Sequence, residues 1–271
     1  MSTPARISIV LRNCHTLDEF EACVALEKRV WQTADIEIVP SALIRVVAET
    51  GGQVLGAFES GRMIGFTFAL AGCRTRKGRP EPFLHSHMTA VLPEFQNRGI
   101  GRRLKFFQRK EALARGISLI EWTFDPFELR NAHFNVMLLG AVIRRYHPNF
   151  YGITTSPLHS GIPTDRLVAE WQLESPRVRA AIEGAAPPPA GHEALRIRVP
   201  TDIRKIIKRD REHAISIQSK LRAEFQRKFA ANYAVTRVES QEAEVHYVLE
   251  PWSDPGNGLP VQVGTPEKSS T

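Results

Sequence analysis

The chain has 271 residues, of which 42% are hydrophobic, and a formal net charge of +7; this is the balance of a soluble globular protein whose core needs no staples. Its three cysteines, Cys14, Cys23 and Cys73, form neither a disulfide framework nor a metal-ligand pairing, and read as free thiols of a reducing cytoplasm. No apolar run approaches the roughly 20 residues that span a bilayer, and the N-terminus lacks the regions of a signal peptide, so no membrane partner and a cytoplasmic location are expected.

In chain order, ISIVLRN (7–13) reads as a strand and TLDEFEACVALEKRVW (16–31) as a helix capped by Thr16 or Asp18. PSALIRVVAETGG (40–52) reads as a second helix with Pro40 early and a Gly51-Gly52 stop. QVLGAFES and MIGFTFALAG flank a Ser60-Gly61 turn, the pattern of a hairpin. FLHSHMTAVL (83–92) is a strand closed by Pro93, and a long helix runs from Gly99 to Arg115. ISLIEWTFDP is a strand stopped by Pro126, and ELRNAHFNVMLLG a short helix stopped by Gly140. AVIRRYHPNFYG and DRLVAEWQLE are two late strands around an irregular piece rich in Pro, Ser and Gly.

GAAPPPAGHE (184–193) breaks every periodicity and reads as a linker between a domain over 1–183 and an appendage over 194–252. The appendage reads as a strand, ALRIRVP, one basic helix over 201–229, and a closing pair of strands, YAVTRV and AEVHYVLE. LGAVIRRY…LVAEWQLE and NYAVTRV…VHYVLEP are two helix-then-two-strand endings that hint at an internal repeat. The tail over 253–271 reads as disordered. Much of the positive charge lies between Arg196 and Lys228. The favoured reading of that run is a solvated helix face, and the chain holds no recognised nucleic-acid module, so no specific nucleic-acid partner is expected.

The stretch QNRGIGRRLK (96–105) lies where a strand gives way to a helix. Backbone amides of such a turn, backed by the helix N-terminus, hold a phosphate, and glycine lets the anion approach them. Gln96, Arg98, Arg102 and Arg103 add donors and charge. A nucleoside-triphosphate loop is excluded because no G-x-x-x-x-G-K-[ST] is present, and the third glycine of a dinucleotide fingerprint is missing. A plain turn with glycine at a helix start is the alternative.

With its surroundings, AVLPEFQNRGIGRRL resembles motif A, [QR]-x-x-G-x-[GA], of the GNAT superfamily of N-acyltransferases, with Gln96, Gly99 and Gly101 on the defining positions. The order of elements over roughly residues 5–175 is similar too, and LHSHM, WTFDP and RNAHFN resemble an uncharacterised bacterial branch of predicted acetyltransferases. The resemblance implies an α/β (α+β) fold with a central mixed, mostly antiparallel sheet flanked by helices, here followed by the C-terminal strand-helix-hairpin appendage. It implies acetyl-CoA or another acyl-CoA as co-substrate, no metal, and direct transfer to an amine without a covalent enzyme intermediate. The pyrophosphate would lie on the amides of Arg98, Gly99, Ile100, Gly101 and Arg102, with Gln96 and Asn97 also among the cofactor-binding residues. The pantetheine arm would pair with the backbone of Val91 and Leu92, the Leu92 amide facing the thioester carbonyl, and Asn131 and Asn135, four apart on one helix face, would bind its amides.

A general base must deprotonate the acceptor ammonium. His87 stands where family members often carry a glutamate, with His85 beside it and Glu121 and Asp125 on the next strand as further candidates. Alternatively, the histidines are hydrogen-bonded inside the sheet and Asp125 caps a turn. The family's thiol-protonating tyrosine falls near Val136, so the thiolate leaves unaided or Tyr146, Tyr151 or His133 protonates it. A small-molecule amine is the expected acceptor, with Arg144 and Arg145 as candidate carboxylate ligands and a homodimer among the expected assemblies. A catalytically degenerate acyl-CoA-binding or sensor module is the alternative function.

Overall fold

The computed structural model describes residues 8–31, 38–76, 78–152 and 161–253; the expected tail from 254 onward and much of the irregular piece lie outside them. The chain divides into two compact units, Met1–Trp122 with Gln172–Ser175 and Thr123–Trp171 with Pro176–Thr271. The expected linker at 184–193 therefore falls inside the second unit.

In the first unit, β1 (Ile9–Asn13), β2 (Gln53–Glu59), β3 (Arg62–Arg76), β4 (Arg79–Val91) and β5 (Leu119–Phe124) lie in that order. Each of the first four pairs antiparallel with the next, and β5 joins β4 in parallel. Helix α1 (Leu17–Trp31) starts with a reciprocal cap: Glu19 N–H donates to Thr16 Oγ1 and Thr16 N–H to Glu19 Oε2. Thr16, of the two candidates, is the capping residue. Helix α2 is Ser41–Glu49 and α3 is Ile100–Ala114. The hairpin turn at Ser60 and Gly61 has φ of 48° and 82°, the left-handed pair that tight hairpins need. Phe20, Ile44, Val47, Phe66, Phe68 and Leu104 are among its buried core. The β3–β4 hairpin runs further than its apolar letters suggest, because Glu81 answers Arg74 at 2.9 Å and Arg76 at 2.7 Å along the polar end.

The second unit holds α4 (Leu129–His133), β6 (Val142–His147), β7 (Arg166–Gln172), α5 (Pro176–Ile182), β8 (Leu195–Pro200), α6 (Ile203–Arg209), α7 (Arg211–Ala230), β9 (Tyr233–Ser240) and β10 (Glu244–Pro251). Its strands lie in the order β7-β6-β9-β10-β8, and the neighbours β6/β7, β6/β9, β9/β10 and β10/β8 are antiparallel. Both helix-strand-strand endings form, and β6 meets β9 at Ile143 and Val235. The expected single basic helix is two. Asp210 leaves helical geometry, and its carboxylate accepts the His213 N–H at 2.9 Å, so α7 starts on its own N-cap. One face of α7 is buried through Ala214, Leu221, Phe225 and Phe229, so most of the charge run solvates the opposite face, while Lys228 is buried and donates to Arg196 O and Glu224.

Candidate active site

Between β4 and α3 the chain makes a short turn, Pro93–Phe95, and then passes Asn97 at φ 60° and Gly99 at φ 74°. Only glycine takes the second value cheaply, and Gly99 is the residue that turns the chain into α3. A Cβ at Gly99 or Gly101 would meet no atom within 4 Å. The protein itself therefore leaves the approach to both backbones open. The first-turn N–H groups of α3 lack intrahelical acceptors and carry the positive dipole end. The turn is braced by the Gln96 side-chain amide, which donates to Val91 O at 2.9 Å. Arg98 and Arg102 lie over the rings of Phe95 and Phe106 at 5.1 Å and 4.5 Å, and Arg103 is taken up by Ile9 O at 2.9 Å. The turn, the open backbones and the cations fit the diphosphate end of an acyl-CoA.

Strands β4 and β5 are paired only at Leu84–Ile120 and His85–Glu121, then part. On its other edge β4 is bonded to β3 throughout. The register passes from Ala69–Ser86 to Phe68–Met88 and leaves His87 as a bulge. The expected role of the Leu92 amide is corrected here, because that N–H donates to Ile64 O at 2.9 Å. Alternation along the strand turns the Thr89 and Val91 peptide groups to the opposite edge. The Gln96 bond to Val91 O agrees with that direction. Thr89 was not legible as a site residue, since the bulge that sets the phase leaves no mark in the letters.

His87 is solvent-exposed on β4. Its ring stands edge-on to Phe68 at 6.1 Å and 6.2 Å from His85. Surrounding protein still lowers its pKa below the ordinary imidazole value through desolvation. Glu121, opposite His85 in the register, lies 3.8 Å from Arg74.

Four expected candidates in the second unit have other partners. Asp125 Oδ1 accepts the Phe127 N–H at 2.8 Å and Oδ2 accepts from Arg204 at 3.0 Å, so it caps the turn before α4 and is corrected to a structural residue. Tyr146 is 7% exposed and donates its hydroxyl to Asp165 at 2.6 Å. Arg222 completes that cluster with two bonds of 2.9 Å to the same carboxylate. Burial, then Asp165, raise the Tyr146 pKa far above the usual phenol, so its proton is held and Tyr146 is corrected from acid to packing residue. Arg144 and Arg145 both pair with buried Glu170, Arg145 at 3.0 Å, so both already share a carboxylate of the protein itself. Asn131 and Asn135 do not share a face. The helix widens into a π turn at Phe134–Leu138, leaving Asn131 exposed and Asn135 buried, its Nδ2 without a protein partner among the described residues. Tyr151 and His133 remain exposed.

One group in the first unit was missed. Lys105, Gln108 and Ser86 are buried together on α3 and β4. Their signal was in the sequence, because Lys105 and Gln108 fall on the buried stripe of α3 set by Leu104 and Ala112. Among the described residues no group of three or more His, Cys, Asp or Glu could hold a metal, and no helix is long and apolar enough to cross a membrane.

A model of the acetyltransferase (GNAT) family matches residues 15–135. The chain is similar to the solved ribosomal-protein-S18-alanine N-acetyltransferase of Escherichia coli, at 15% identity over 62% of this chain and 96% of that one, with a TM-score of 0.48. It is also similar to an N-acetyltransferase of Staphylococcus aureus Mu50, at 14% identity over 62% and 99% of the two chains, with a TM-score of 0.49. A third is yncA of Salmonella typhimurium, solved with its cofactor acetyl-CoA, at 18% identity over 62% and 95%, with a TM-score of 0.48. A search of the curated proteins found no match in sequence.

Proposed function

We propose, from the match of residues 15–135 to the model of the GNAT acetyltransferase family, that this chain is an acyltransferase that moves an acetyl group from acetyl-CoA directly to the amine of a small molecule. The observation that carries the reading is the pair of open backbones at Gly99 and Gly101, set at the head of α3 next to the strand edge that β5 vacates. Phosphate oxygens accept from the first-turn amides of α3, with Arg98 and Arg102 beside them. The pantetheine arm lies along the free β4 edge, where Thr89 and Val91 present their peptide groups. The Thr89 N–H is the donor placed to stabilise the oxyanion as the thioester carbonyl becomes tetrahedral.

His87 serves as the base. Its lowered pKa keeps the imidazole neutral at pH 7, so it accepts the ammonium proton, directly or through a water. The amine nitrogen then bonds to the acyl carbon, the C–S bond breaks, and CoA leaves as the thiolate; the second proton of the nitrogen passes through solvent to that thiolate as the amide forms, so no protein acid is needed. Glu121 and His85 border the same fork, and the Glu121 carboxylate attracts the cationic acceptor.

Titration of acetyl-CoA by calorimetry tests the reading. Gly101→Glu is the informative variant, because the site demands no unusual φ and offers room for a side chain. The variant is expected to fold as the wild type and bind at least ~30-fold more weakly, since a carboxylate enters the anion site. Equal binding by both proteins would move the phosphates elsewhere. Tight binding without transfer to any amine in a broad screen would favour an acyl-CoA sensor.

A further inference from the structure

Lys105 points its ammonium into the interior of the first unit. Nζ donates to Ser86 Oγ at 2.9 Å and to Gln108 Oε1 at 2.7 Å, and lies 4.0 Å from the centroid of the Trp122 ring. The last β4–β5 rung is His85–Glu121. Ser86 and Trp122 are the next residues of the two strands. One cation therefore touches both strands at the point where they part, from the buried side of the sheet. The same lysine belongs to α3, about a turn and a half from the amides at its head.

We propose that Lys105 is a positioning residue that pins the β4–β5 fork and couples it to the anion-binding end of α3. This rests on the acyl-CoA reading above. A buried ammonium is strongly disfavoured unless donors, acceptors or a π-face answer it. Ser86, Gln108 and Trp122 answer it only while α3, β4 and β5 keep their present spacing. Ser86 also precedes the bulge residue His87, so the contact fixes the strand phase that turns Thr89 and Val91 to the open edge.

Burial pushes the Lys105 pKa down to about 7, so its charge is poised. The titratable groups nearest Ser86 and Trp122 along the two strands are His85 and His87 on β4 and Glu121 on β5; Glu81, further along β4, is paired with Arg74 and Arg76. All have the opposite parity to Ser86 and Trp122 and hence the opposite face, and Glu121 lies near Arg74. On α3, Arg109 donates to Leu173 O and Arg102 lies over Phe106. Gln53 on β2 and Thr67 on β3, buried residues of the other strands α3 packs against, are neutral. An anion at the head of α3 is therefore the new charge that Lys105 feels on binding. At roughly 10 Å and an effective dielectric near 20, one such charge raises the lysine pKa by about one unit. Desolvation has little left to change. By linkage, the protonated lysine binds the anion more tightly.

The test follows Trp122 emission against pH, isolated by subtraction of a Trp122→Phe protein, with and without saturating acetyl-CoA. The expected midpoint lies near 7 in the free protein and about one pH unit higher in the complex. Calorimetry from pH 6.5 to 9 should show acetyl-CoA affinity falling about tenfold in the wild type. In Lys105→Met affinity should be nearly flat, with Trp122 emission unresponsive to acetyl-CoA. A midpoint that acetyl-CoA leaves unmoved overturns the proposal without any variant, as does a folded Lys105→Met protein with the wild-type pH dependence. Binding heat with an unmoved midpoint sinks the coupling alone. No binding heat in the wild type sinks the acyl-CoA reading and the coupling with it.

Discussion

His87 stands exposed at a bulge, yet surrounding protein lowers its pKa. The sign is that of a desolvated cation: the charged form is disfavoured, so the ring loses its proton at a lower pH than a free imidazole. Its fraction as base rises through acidic pH, and the neutral ring predominates at pH 7. An NMR titration of the His87 Cε1 proton, assigned by loss of the signal in His87→Gln, should give a midpoint below 6.5. A midpoint above that value would remove His87 as the resting base and leave Glu121 or His85. The sequence could single out His87 as a candidate because histidine on an alternating strand has few roles. Asp125 and Tyr146 were misread because their partners are remote: Arg204 is 79 positions from Asp125, and Arg222 is 57 from the Asp165 that holds Tyr146. No local pattern encodes such pairs, and they decide whether a polar side chain is free for chemistry.

Among the elements, the passage from β4 to α3 carries most of the proposed site, and its two glycines differ. Gly99 sits in the left-handed region, at φ 74°, whereas Gly101 has an ordinary backbone and open space above it. Gly99→Ala should therefore lower stability by about 1 kcal/mol, and Gly101→Ala should cost no comparable strain. Thermal denaturation of the two variants separates the roles; equal losses would show that Gly99 is not held in the left-handed region. This passage could be read from the sequence because glycine, proline and a helical stripe follow one another within a dozen residues. The hairpin at Ser60-Gly61 was legible for the same reason. The division of the basic segment at Asp210 was not, since Asp is tolerated inside a helix and declares itself as a cap only when the chain bends there. Nor was α5, a seven-residue helix (Pro176–Ile182) with too few turns to show a period. The π turn left no signal either, and it moved Asn131 and Asn135 off a common face.

At the scale of the whole molecule, composition and motif order suggested a catalytic domain over 1–183 with an appendage over 194–252, and the second unit gives that boundary a physical test. Strand β9 lies between β6 and β10 within its sheet. Arg222 of α7 supplies the guanidinium for the fully buried Asp165 side chain. Phe225 of the same helix packs on Tyr146 at 5.7 Å, and Tyr247 donates to Pro126 O at 2.7 Å. Cutting the chain after Glu183 would open the β6 edge to solvent and to other chains. It would also strip Asp165 of its counterion, a loss of roughly 3–5 kcal/mol for a buried pair, and expose the aromatic packing around Tyr146. Against a total stability of about 5–15 kcal/mol, that combination is enough to unfold the second unit. The 1–183 fragment is therefore expected to be aggregation-prone, with no cooperative melting of its residues beyond Trp122. A soluble fragment that melts within a few degrees of the full chain and still binds acetyl-CoA would show that 194–252 is dispensable to the fold, and would return it to the role of an appendage.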